Sequence, residues 1–491
     1  MNIKRCISLV LLFSLMAISL ISCAGADEKR TDTETVLSDE SAETEDPNSI
    51  AGRKAVSDDL PEIDFGGKQF RTIVQVSTVY DIWIEEETGD VLNDEIFLRN
   101  RNIEDRFNAV IAETRAIDFS KIIPAVRDVV NAGEDAYDLV LGQMEDSGAA
   151  VVSGIFMNWY DIPNMNYSKP WYPKSIIKNA ATVNGKMYSM ISDLCISYAH
   201  QTWSIVYDKI VAENYGINDI YSFVNNNSWT LDRLNTLTKD VYEDLNGDGT
   251  RDENDYYGLS IGLNGCMLLA FYYGFDQRLV TVNDDYEIDM AINSEKAVNI
   301  SSSLHKLFFD SPGTYNSPDS SNGGMYKKFQ NGTALFCTIL VGDTYAVLRD
   351  YENDYGIIPF PLWNESQTEY YSVCDAGCNI LAVPATASNT EFIGIMTEAL
   401  SAYSYKNVMP IYYDIALGTK SARDEESVKM LDMIFNNRII DFAYLYDGWN
   451  GWVFSLADFV KSDSFASTYA KLESKKNSHY QKVLDFFLED E

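Results

Sequence analysis

Phe70-Arg-Thr-Ile-Val-Gln-Val76 and Tyr137-Asp-Leu-Val-Leu141 are short apolar runs at the two ends of the most regular part of the chain. Between them the spacing of apolar residues alternates between that of a strand and that of a helix. The predicted elements are a strand at 70–76, a helix at 92–107, a strand at 109–114, a helix at 122–130 and a strand at 137–141. Strands that alternate with helices in this way are typical of a parallel sheet, whose ligands usually bind at the carboxyl ends of its strands. The sequence therefore predicts an α/β fold.

The length of the chain allows more than one such unit. It has 491 residues, and roughly 430 of them follow an acidic N-terminal segment and are rich in Tyr, Phe and Trp. This is more material than a single hydrophobic core usually holds. We therefore expect two lobes.

The first 59 residues differ in composition from the rest. Residues 1–23 combine a basic start, an apolar run and a cysteine among small residues, Cys23, which is typical of a lipoprotein signal peptide. The run is too short for a dedicated membrane span. We expect lipid on Cys23 to hold the mature chain at the cell surface, on the outer face of the cytoplasmic membrane. Residues 24–59 have almost no large apolar side chains, which predicts a disordered acidic tether.

The charge of the chain excludes one class of partner. The formal net charge is −36, and no basic patch is visible in the sequence. Binding to nucleic acid needs such a patch for phosphate contacts, so we expect no nucleic acid partner. The acidity also disfavours anionic substrates.

Five cysteines remain after the signal segment and Cys23, and most of them lie in apolar or mixed segments. A free cysteine in such a segment packs as a small apolar side chain. Cys374 and Cys378 can instead bridge or share a metal, although no histidine or second cysteine pair completes a tetrahedral set.

Residues 244–255, Asp-Leu-Asn-Gly-Asp-Gly-Thr-Arg-Asp-Glu-Asn-Asp, have the layout of a calcium loop. Oxygen side chains recur at the positions that bind a hard divalent cation, and Gly249 permits the sharp turn. The expected ligands are the side chains of Asp244, Asn246, Asp248 and Asp255, the carbonyl of Thr250, and Asp252 through water. A calcium sensor usually pairs two such loops, and the chain has one. We expect one structural calcium ion; the alternative is an acidic turn without metal.

Several strings along the chain together resemble the bacterial extracellular solute-binding proteins of carbohydrate ABC importers, the maltodextrin-binding-like group. Their order and spacing cover nearly the whole chain after the tether, and the lipoprotein signal fits independently. The strings are Thr88-Gly-Asp-Val-Leu-Asn-Asp94 with Arg99-Asn-Arg101, Tyr137-Asp-Leu-Val140, Asn184-Gly-Lys-Met-Tyr188, Trp229-Thr230 with the calcium loop and Tyr257-Gly258, Phe329-Gln-Asn-Gly-Thr-Ala334, Tyr355-Gly-Ile-Ile-Pro-Phe-Pro361 and Arg423-Asp-Glu-Glu-Ser-Val-Lys-Met430.

The resemblance implies a two-lobed periplasmic-binding-protein-like fold with the ligand in a cleft between the lobes. Lobe 1 is then expected at 60–193 and 353–420, and lobe 2, with the calcium loop, at 194–352 and 421–491. The chain is expected to cross between the lobes near 189–194, 352–355 and 417–422. The implied function is that of a monomeric receptor, not an enzyme, that captures a carbohydrate, expected to be an oligosaccharide. It would deliver this ligand to ABC permease subunits and contact the membrane through its lipid anchor only.

A sugar site usually combines flat aromatic faces with carboxylates and amides. Trp449 and Trp452 are the first candidates, because flanking glycines and Asn450 indicate a loop. Asp193 and Asp375 each follow a strand-like segment near a predicted crossing. The resemblance places three further candidates at the cleft rim: Trp171, Trp203 and Tyr371. For each tryptophan the alternative is packing in the core.

Other function classes remain as alternatives. A cell-surface glycan-binding or adhesion module would need no transporter. A secreted glycoside hydrolase would need two carboxylates at a defined separation, which so acidic a chain can supply. Gly258-Leu-Ser-Ile-Gly262 matches a hydrolase nucleophile elbow, but it follows the calcium loop, and the residues after it make a poor helix start.

Overall fold

The structure is a computed structural model that describes residues 49–318, 323–418, 425–462 and 464–489. The signal segment 1–23 with Cys23, and tether residues 24–48, lie outside these ranges, so the lipid anchor stays a prediction. Within the described ranges, no helix combines the length and the apolar character that crossing a membrane requires.

The strands of the described ranges form two main sheets and two short ladders. They are β1 (Lys68–Phe70), β2 (Thr72–Gln75), β3 (Ala109–Ile111), β4 (Arg115–Ile117), β5 (Leu139–Gln143), β6 (Trp203–Asp208), β7 (Tyr242–Glu243), β8 (Tyr256–Gly262), β9 (Thr281–Val282), β10 (Ile288–Asp289), β11 (Thr314–Ser317), β12 (Ala334–Leu340), β13 (Tyr355–Ile358) and β14 (Asn379–Ala382).

The α-helices of the same ranges surround the two sheets. They are α1 (Ile50–Ala55), α2 (Val91–Phe107), α3 (Phe119–Asn131), α4 (Met144–Ala149), α5 (Lys174–Ile176), α6 (Ile196–His200), α7 (Lys209–Asn214), α8 (Ile220–Asn225), α9 (Leu231–Thr238), α10 (Gly265–Gly274), α11 (Glu295–His305), α12 (Gly323–Gln330), α13 (Val341–Val347), α14 (Thr390–Tyr403), α15 (Met409–Gly418), α16 (Glu425–Asn436), α17 (Phe442–Leu445), α18 (Leu456–Ser462) and α19 (Phe465–Leu488).

Lobe 1 is built on a four-stranded sheet in the order β14-β5-β2-β4. β5, β2 and β4 are parallel, and β14 runs antiparallel along β5. All four residues of β2 are buried, as expected for a strand in a parallel sheet that is covered on both faces. Asp90 caps the N-terminus of α2, and its carboxylate accepts the N–H of Asn93 at 3.0 Å. The predicted alternation of strands and helices in this part of the chain is confirmed, although β3 pairs with β1 outside the sheet.

Lobe 2 is built on a second sheet in the order β11-β8-β12-β6-β13, with β7 added to β8. β11, β8 and β12 are parallel, whereas β6 is antiparallel to both of its neighbours. β6, β8 and β12 are buried at every residue. Their long apolar runs therefore form the centre of the lobe 2 core.

The crossings between the lobes differ in part from the prediction. The first lies between Met190, which bridges to Leu381 in lobe 1, and Trp203, which begins β6 in lobe 2. The second, predicted at 352–355, is later in the chain, because β13 still pairs with β6 of lobe 2. Residues 353–358 therefore belong to lobe 2, not lobe 1. A single apolar strand does not reveal which sheet it joins, which explains the error. The third predicted crossing, 417–422, lies mainly outside the described residues.

The end of the predicted tether is folded. Ser49 caps α1 by accepting the N–H of Gly52 at 3.0 Å. Asp58 pairs with Arg106 at 2.5 Å, and Asp59 pairs with Lys169 at 2.5 Å. Residues 49–59 are therefore attached to lobe 1, because their charged side chains find basic partners there.

The C-terminal segment was assigned to lobe 2 from the sequence, but it contacts both lobes. α16 packs on β13, and α18 packs on α10 and α11, all in lobe 2. α19 also reaches lobe 1, where the Asn184 side chain donates to the carbonyl of Phe487 at 3.1 Å. The turn at 447–451, between α17 and α18, is thereby placed where the two lobes meet.

Candidate functional site in the cleft between the lobes

The strands of both sheets end beside the crossing segments. In lobe 1, β5 ends at Gln143, which pairs with Asn379. In lobe 2, β12 ends at Leu340, which pairs with Trp203. A bridge between Thr202 and Cys374 joins the two crossing segments between these points. The ends of β5 and β12 therefore lie on either side of the crossing segments, and this region between the two lobes is called the interlobe cleft.

Asp375 lies on the floor of the interlobe cleft. Its backbone N–H donates to the carbonyl of Gln201 at 2.7 Å, and its carboxylate accepts the indole N–H of Trp203 at 3.2 Å and the N–H of Gly377 at 3.0 Å. Burial raises the pKa of the Asp375 carboxyl. Trp203 itself is fully buried, so neither face of its ring is open to a ligand. Its role is to orient the carboxylate of Asp375 through the indole N–H.

His200 lies where the two lobes approach each other. Its Nε2 is 3.9 Å from the Oδ1 of Asp343, in α13 of lobe 2. Its ring centroid is 5.9 Å from that of Tyr80, which follows β2 in lobe 1. Burial lowers the pKa of His200 and raises that of Asp343, although each charge favours the other. The pair is thus biased toward uncharged forms, which can both donate to and accept from hydroxyl groups.

Trp449 extends from the 447–451 turn with 48% of its surface exposed. Its ring stacks on Phe454, with centroids 4.3 Å apart and planes at 26°. Its indole N–H donates to Asp146 Oδ1 at 2.9 Å, and its backbone N–H donates to the Glu145 carboxylate. Its φ of 61° lies in the left-handed region, which is uncommon outside glycine. An exposed aromatic ring held in this conformation is a candidate contact surface.

Polar atoms without partners are concentrated at the end of β5. Among the described residues, Gln143 Oε1, Glu145 Oε2 and Asp146 Oδ2 are buried and make no hydrogen bond. Glu145 Oε2 faces the carboxyl group of Asp447. Buried acceptors are normally paired, so Gln143 Oε1 and Asp146 Oδ2 are suited to the donors of a bound molecule. Sequence reasoning selected neither Glu145 nor Asp146. Their position directly after a buried strand of a parallel sheet is a signal that could have identified them.

Solved structures with the same arrangement are known. An ABC substrate-binding protein from Listeria monocytogenes in complex with cycloalternan aligns with a TM-score of 0.53 at 13% identity, over 85% of this chain and 99% of that chain. A maltose/maltodextrin-binding domain from Bdellovibrio bacteriovorus bound to maltotriose aligns with a TM-score of 0.52 at 13% identity, over 84% and 99% of the two chains. An ABC transporter solute-binding protein from Agrobacterium radiobacter in complex with ribitol aligns with a TM-score of 0.54 at 13% identity, over 85% of this chain and 99% of that chain.

The chain has the fold of the ABC solute-binding proteins. No protein-family model matches the sequence, and no curated protein matches it significantly. The two-lobed solute-binding fold predicted from the sequence is therefore confirmed by three-dimensional likeness.

Three predicted ligand contacts lie elsewhere in this solute-binding fold. Trp171 is fully buried in lobe 1, where its indole N–H donates to a carboxylate of α14 at 3.2 Å. Trp452 is fully buried and stacks on Tyr469, with centroids 5.2 Å apart. Tyr371 lies under the guanidinium of Arg278, 5.3 Å from its ring centroid. The burial of the two tryptophans fits packing in the core, the alternative considered for each of them.

Asp193 lines a cavity of about 430 Å³ beside the first crossing. Burial raises the pKa of its carboxyl to about 7, against the opposing effect of Arg53 and Arg438. Arg438 is held in place by a hydrogen bond to the carbonyl of Tyr198 at 3.1 Å and by stacking on that ring at 3.7 Å. Asp375 does not line this cavity, so the structure does not bring the two predicted aspartates together.

Loop 244–255 lies in lobe 2, between β7 and β8. The Asp244 carboxylate accepts two N–H groups of the loop, at 2.7 and 2.9 Å. Asp255 is fully buried; its Oδ2 accepts the Tyr242 O–H at 3.0 Å, and its Oδ1 has no partner in the described residues. No group of three or more His, Cys, Asp or Glu side chains in the described ranges is already arranged around a metal. The oxygen donors fit calcium in type, but most must turn from the amides of the loop to bind it.

Cys374 and Cys378 flank the cleft floor. They are free, fully buried thiols whose Sγ atoms lie 3.5 Å apart. The distance is that of a close contact and is longer than the disulfide bond length of about 2.05 Å. The sequence alternative of a bridge between them stays a prediction.

Proposed function

We propose that the interlobe cleft binds a carbohydrate. The observation that carries this proposal is the exposed indole of Trp449 beside the Oδ2 of Asp146, a carboxylate oxygen that has no partner in the described residues. A sugar presents C–H patches that stack on an aromatic face, and hydroxyls that donate to carboxylates. Trp449 supplies the first kind of contact, and Asp146 and Asp375 supply the second.

The ligand is proposed to be an oligosaccharide. Polar and aromatic groups are present at three places along the cleft: around His200, at Asp375 and around Trp449. A ligand of more than one ring can contact all three. Because Asp146 belongs to lobe 1 and Asp343 to lobe 2, such a ligand also contacts both lobes and can favour the closed form of the hinge.

Isothermal titration against a panel of neutral oligosaccharides tests the proposal, with ribitol and the parent monosaccharides as smaller probes. Each sample is also analysed for new reducing ends. We expect saturable binding of at least one oligosaccharide, tighter than that of its monosaccharide, and no cleavage. Absence of binding across the panel, or hydrolysis of any member, would overturn the proposal.

We further propose that the receptor is a monomer anchored by lipid on Cys23 at the outer face of the cytoplasmic membrane, where it delivers its ligand to ABC permease subunits. The sequence around Cys23 and the solute-binding fold support this role. Intact-mass measurement of the mature protein, with Cys23→Ala as the control, tests the anchor. Loss of ligand uptake by cells that lack the chain tests the transport role.

We also propose one calcium ion at loop 244–255. The support is the oxygen-rich spacing of the loop and the buried, unpartnered Oδ1 of Asp255. Asp244, Asn246, Asp248, Thr250, Asp252 and Asp255 would hold the ion, which would join the turn to the start of β8. The role is structural, because the loop contributes no residue to the interlobe cleft described above.

A further inference from the structure

Glu145 and Asp447 form a buried acid pair beneath Trp449. Glu145 lies in α4, directly after β5, and Asp447 follows α17. Both residues are buried, and their carboxyl groups lie within hydrogen-bonding reach of each other. Two carboxyls at this separation strongly resist being ionised together, so they share one proton.

The other hydrogen bonds of the pair leave one oxygen on each residue for that proton. Glu145 accepts the backbone N–H of Trp449. Asp447 Oδ1 accepts the N–H of Val453 at 2.9 Å and the O–H of Tyr480 at 3.1 Å. Glu145 Oε2 and Asp447 Oδ2 are buried and have no other partner in the described residues. A proton between these two oxygens satisfies both and removes the cost of leaving them unpaired.

The charged groups around the pair come from α4 and α19, and α10 adds the buried thiol of Cys266, whose pKa is raised by burial. Asp146 of α4 adds a second negative charge beside Glu145. From α19, the ammonium of Lys476 donates to a carbonyl of the 447–451 turn, and His479 Nε2 contacts the carbonyl before that turn at 2.7 Å. Burial raises the pKa of Glu145 and of Asp447 and lowers that of Lys476 and of His479. The ammonium of Lys476 balances one carboxylate of the pair. Loss of the shared proton would therefore leave the second carboxylate as a buried negative charge without compensation.

The same pair holds the turn that presents Trp449. Gly448 and Trp449 both have left-handed backbones, with φ of 55° and 61°. Gly448 packs so closely on α4 that a β-carbon would lie 2.2 Å from that of Ala149. Glu145 binds the backbone N–H of Trp449, and Asp146 binds its indole N–H. Repulsion between Glu145 and Asp447 would therefore shift the turn and the indole together.

We propose that Glu145 is a positioning residue, and that the proton it shares with Asp447 keeps Trp449 oriented in the interlobe cleft. Loss of this proton as the pH rises loosens the turn and weakens carbohydrate binding. The consequence for the ligand rests on the proposed function, whereas the movement of Trp449 does not.

Fluorescence of the ligand-free protein tests the movement. The Trp449 signal is the difference between the spectra of the wild type and Trp449→Phe, recorded from pH 5 to 9. We expect one step in this signal. The step should be lost in Glu145→Gln and in Asp447→Asn, whose amides keep the contact without a titrating proton. It should persist in Glu398→Gln, a matched change of a buried acid elsewhere in lobe 1. Circular dichroism confirms that each variant is folded. If only one of Glu145→Gln and Asp447→Asn folds, that variant alone is enough for the test. The absence of a step, or an unchanged step in the folded pair variants, would overturn the proposal.

Titration calorimetry with an oligosaccharide from the panel tests the consequence. We expect the Kd of the wild type to rise on the order of tenfold across the fluorescence step, and that of Glu145→Gln to stay constant. If the step is present and no sugar binds, the proposed function fails while the positioning role stands. If a sugar binds with the same affinity at every pH and no step is seen, the positioning role fails while the proposed function stands.

Discussion

Trp449 combines an exposed ring, a left-handed backbone and two hydrogen bonds to neighbouring acids. These features place its face in the interlobe cleft with little freedom to move, so a stacked sugar ring loses less entropy on binding. We predict that Trp449→Ala weakens oligosaccharide binding at least tenfold, or by about 1.4 kcal/mol, which exceeds the roughly 1 kcal/mol that most interface residues do not reach. Titration calorimetry measures the change.

The matched control at the residue scale is Tyr286→Ala. Tyr286 is also exposed and also has a left-handed backbone, with φ of 59°, but it lies in the turn between β9 and β10. Its removal should leave the affinity within twofold of the wild type. Equal losses in the two variants would show that Trp449 acts through general stability and not through stacking.

Two glycines allow the 447–451 turn to be tested as an element. Gly448 and Gly154 both have left-handed backbones, with φ of 55° and 64°. A β-carbon at Gly448 would clash with Ala149, whereas one at Gly154 would meet no atom within 4 Å. We predict that Gly154→Ala costs about 1 kcal/mol of backbone strain and that Gly448→Ala costs about 1 to 3 kcal/mol more. Chemical denaturation measures both.

Only Gly448→Ala should also weaken oligosaccharide binding, because only this turn presents Trp449. If both variants lose the same stability and neither loses affinity, the turn does not position the indole.

The calcium loop is the second element with a separable prediction. If an ion joins the turn to β8, a chelator should lower the melting temperature of the wild type while ligand affinity at lower temperature changes little. Asp248→Asn should show the lower melting temperature without chelator and little further change with it. Thermal unfolding with and without EGTA measures this. A wild type that is insensitive to chelator, or a fall in affinity equal to that of a cleft variant, would contradict the structural role.

At the scale of elements, the sequence predicts where strands and helices lie better than it predicts which strands pair with each other. The apolar runs that became β2 and β5 were recognisable because parallel strands are buried on both faces. The sheet joined by β13 was not recognisable, because strand pairing depends on contacts distant in sequence. The cleft residues divide in the same way. The loop around Trp449 was marked by its glycines. The position of Glu145 after β5 was also recognisable, but its contact with a turn some 300 residues later was not.

The whole molecule carries a large negative charge together with several buried carboxyls. Burial raises the pKa of Asp81 to about 6, and those of Asp193 and Glu398 to about 7. In the unfolded chain these groups lose their protons near pH 4. Between the unfolded and folded pKa values, the folded state binds more protons than the unfolded state. The stability that these groups contribute is therefore fully present below the unfolded pKa and is lost as the pH rises through the folded pKa. Repulsion within a chain of net charge −36 increases in the same direction.

We therefore predict that the melting temperature falls steadily from pH 5 to pH 8, measured in chelator so that calcium binding does not contribute. Salt distinguishes the two causes, ionisation of the buried carboxyls and repulsion between surface charges. Screening weakens the repulsion and leaves the cost of a buried carboxylate almost unchanged. Glu398→Gln removes one buried acid and should flatten the slope at high salt, whereas Glu369→Gln, at an ordinary surface acid, should not. A melting temperature that is constant or rises over this range would mean that these carboxyls find compensating partners in the folded protein.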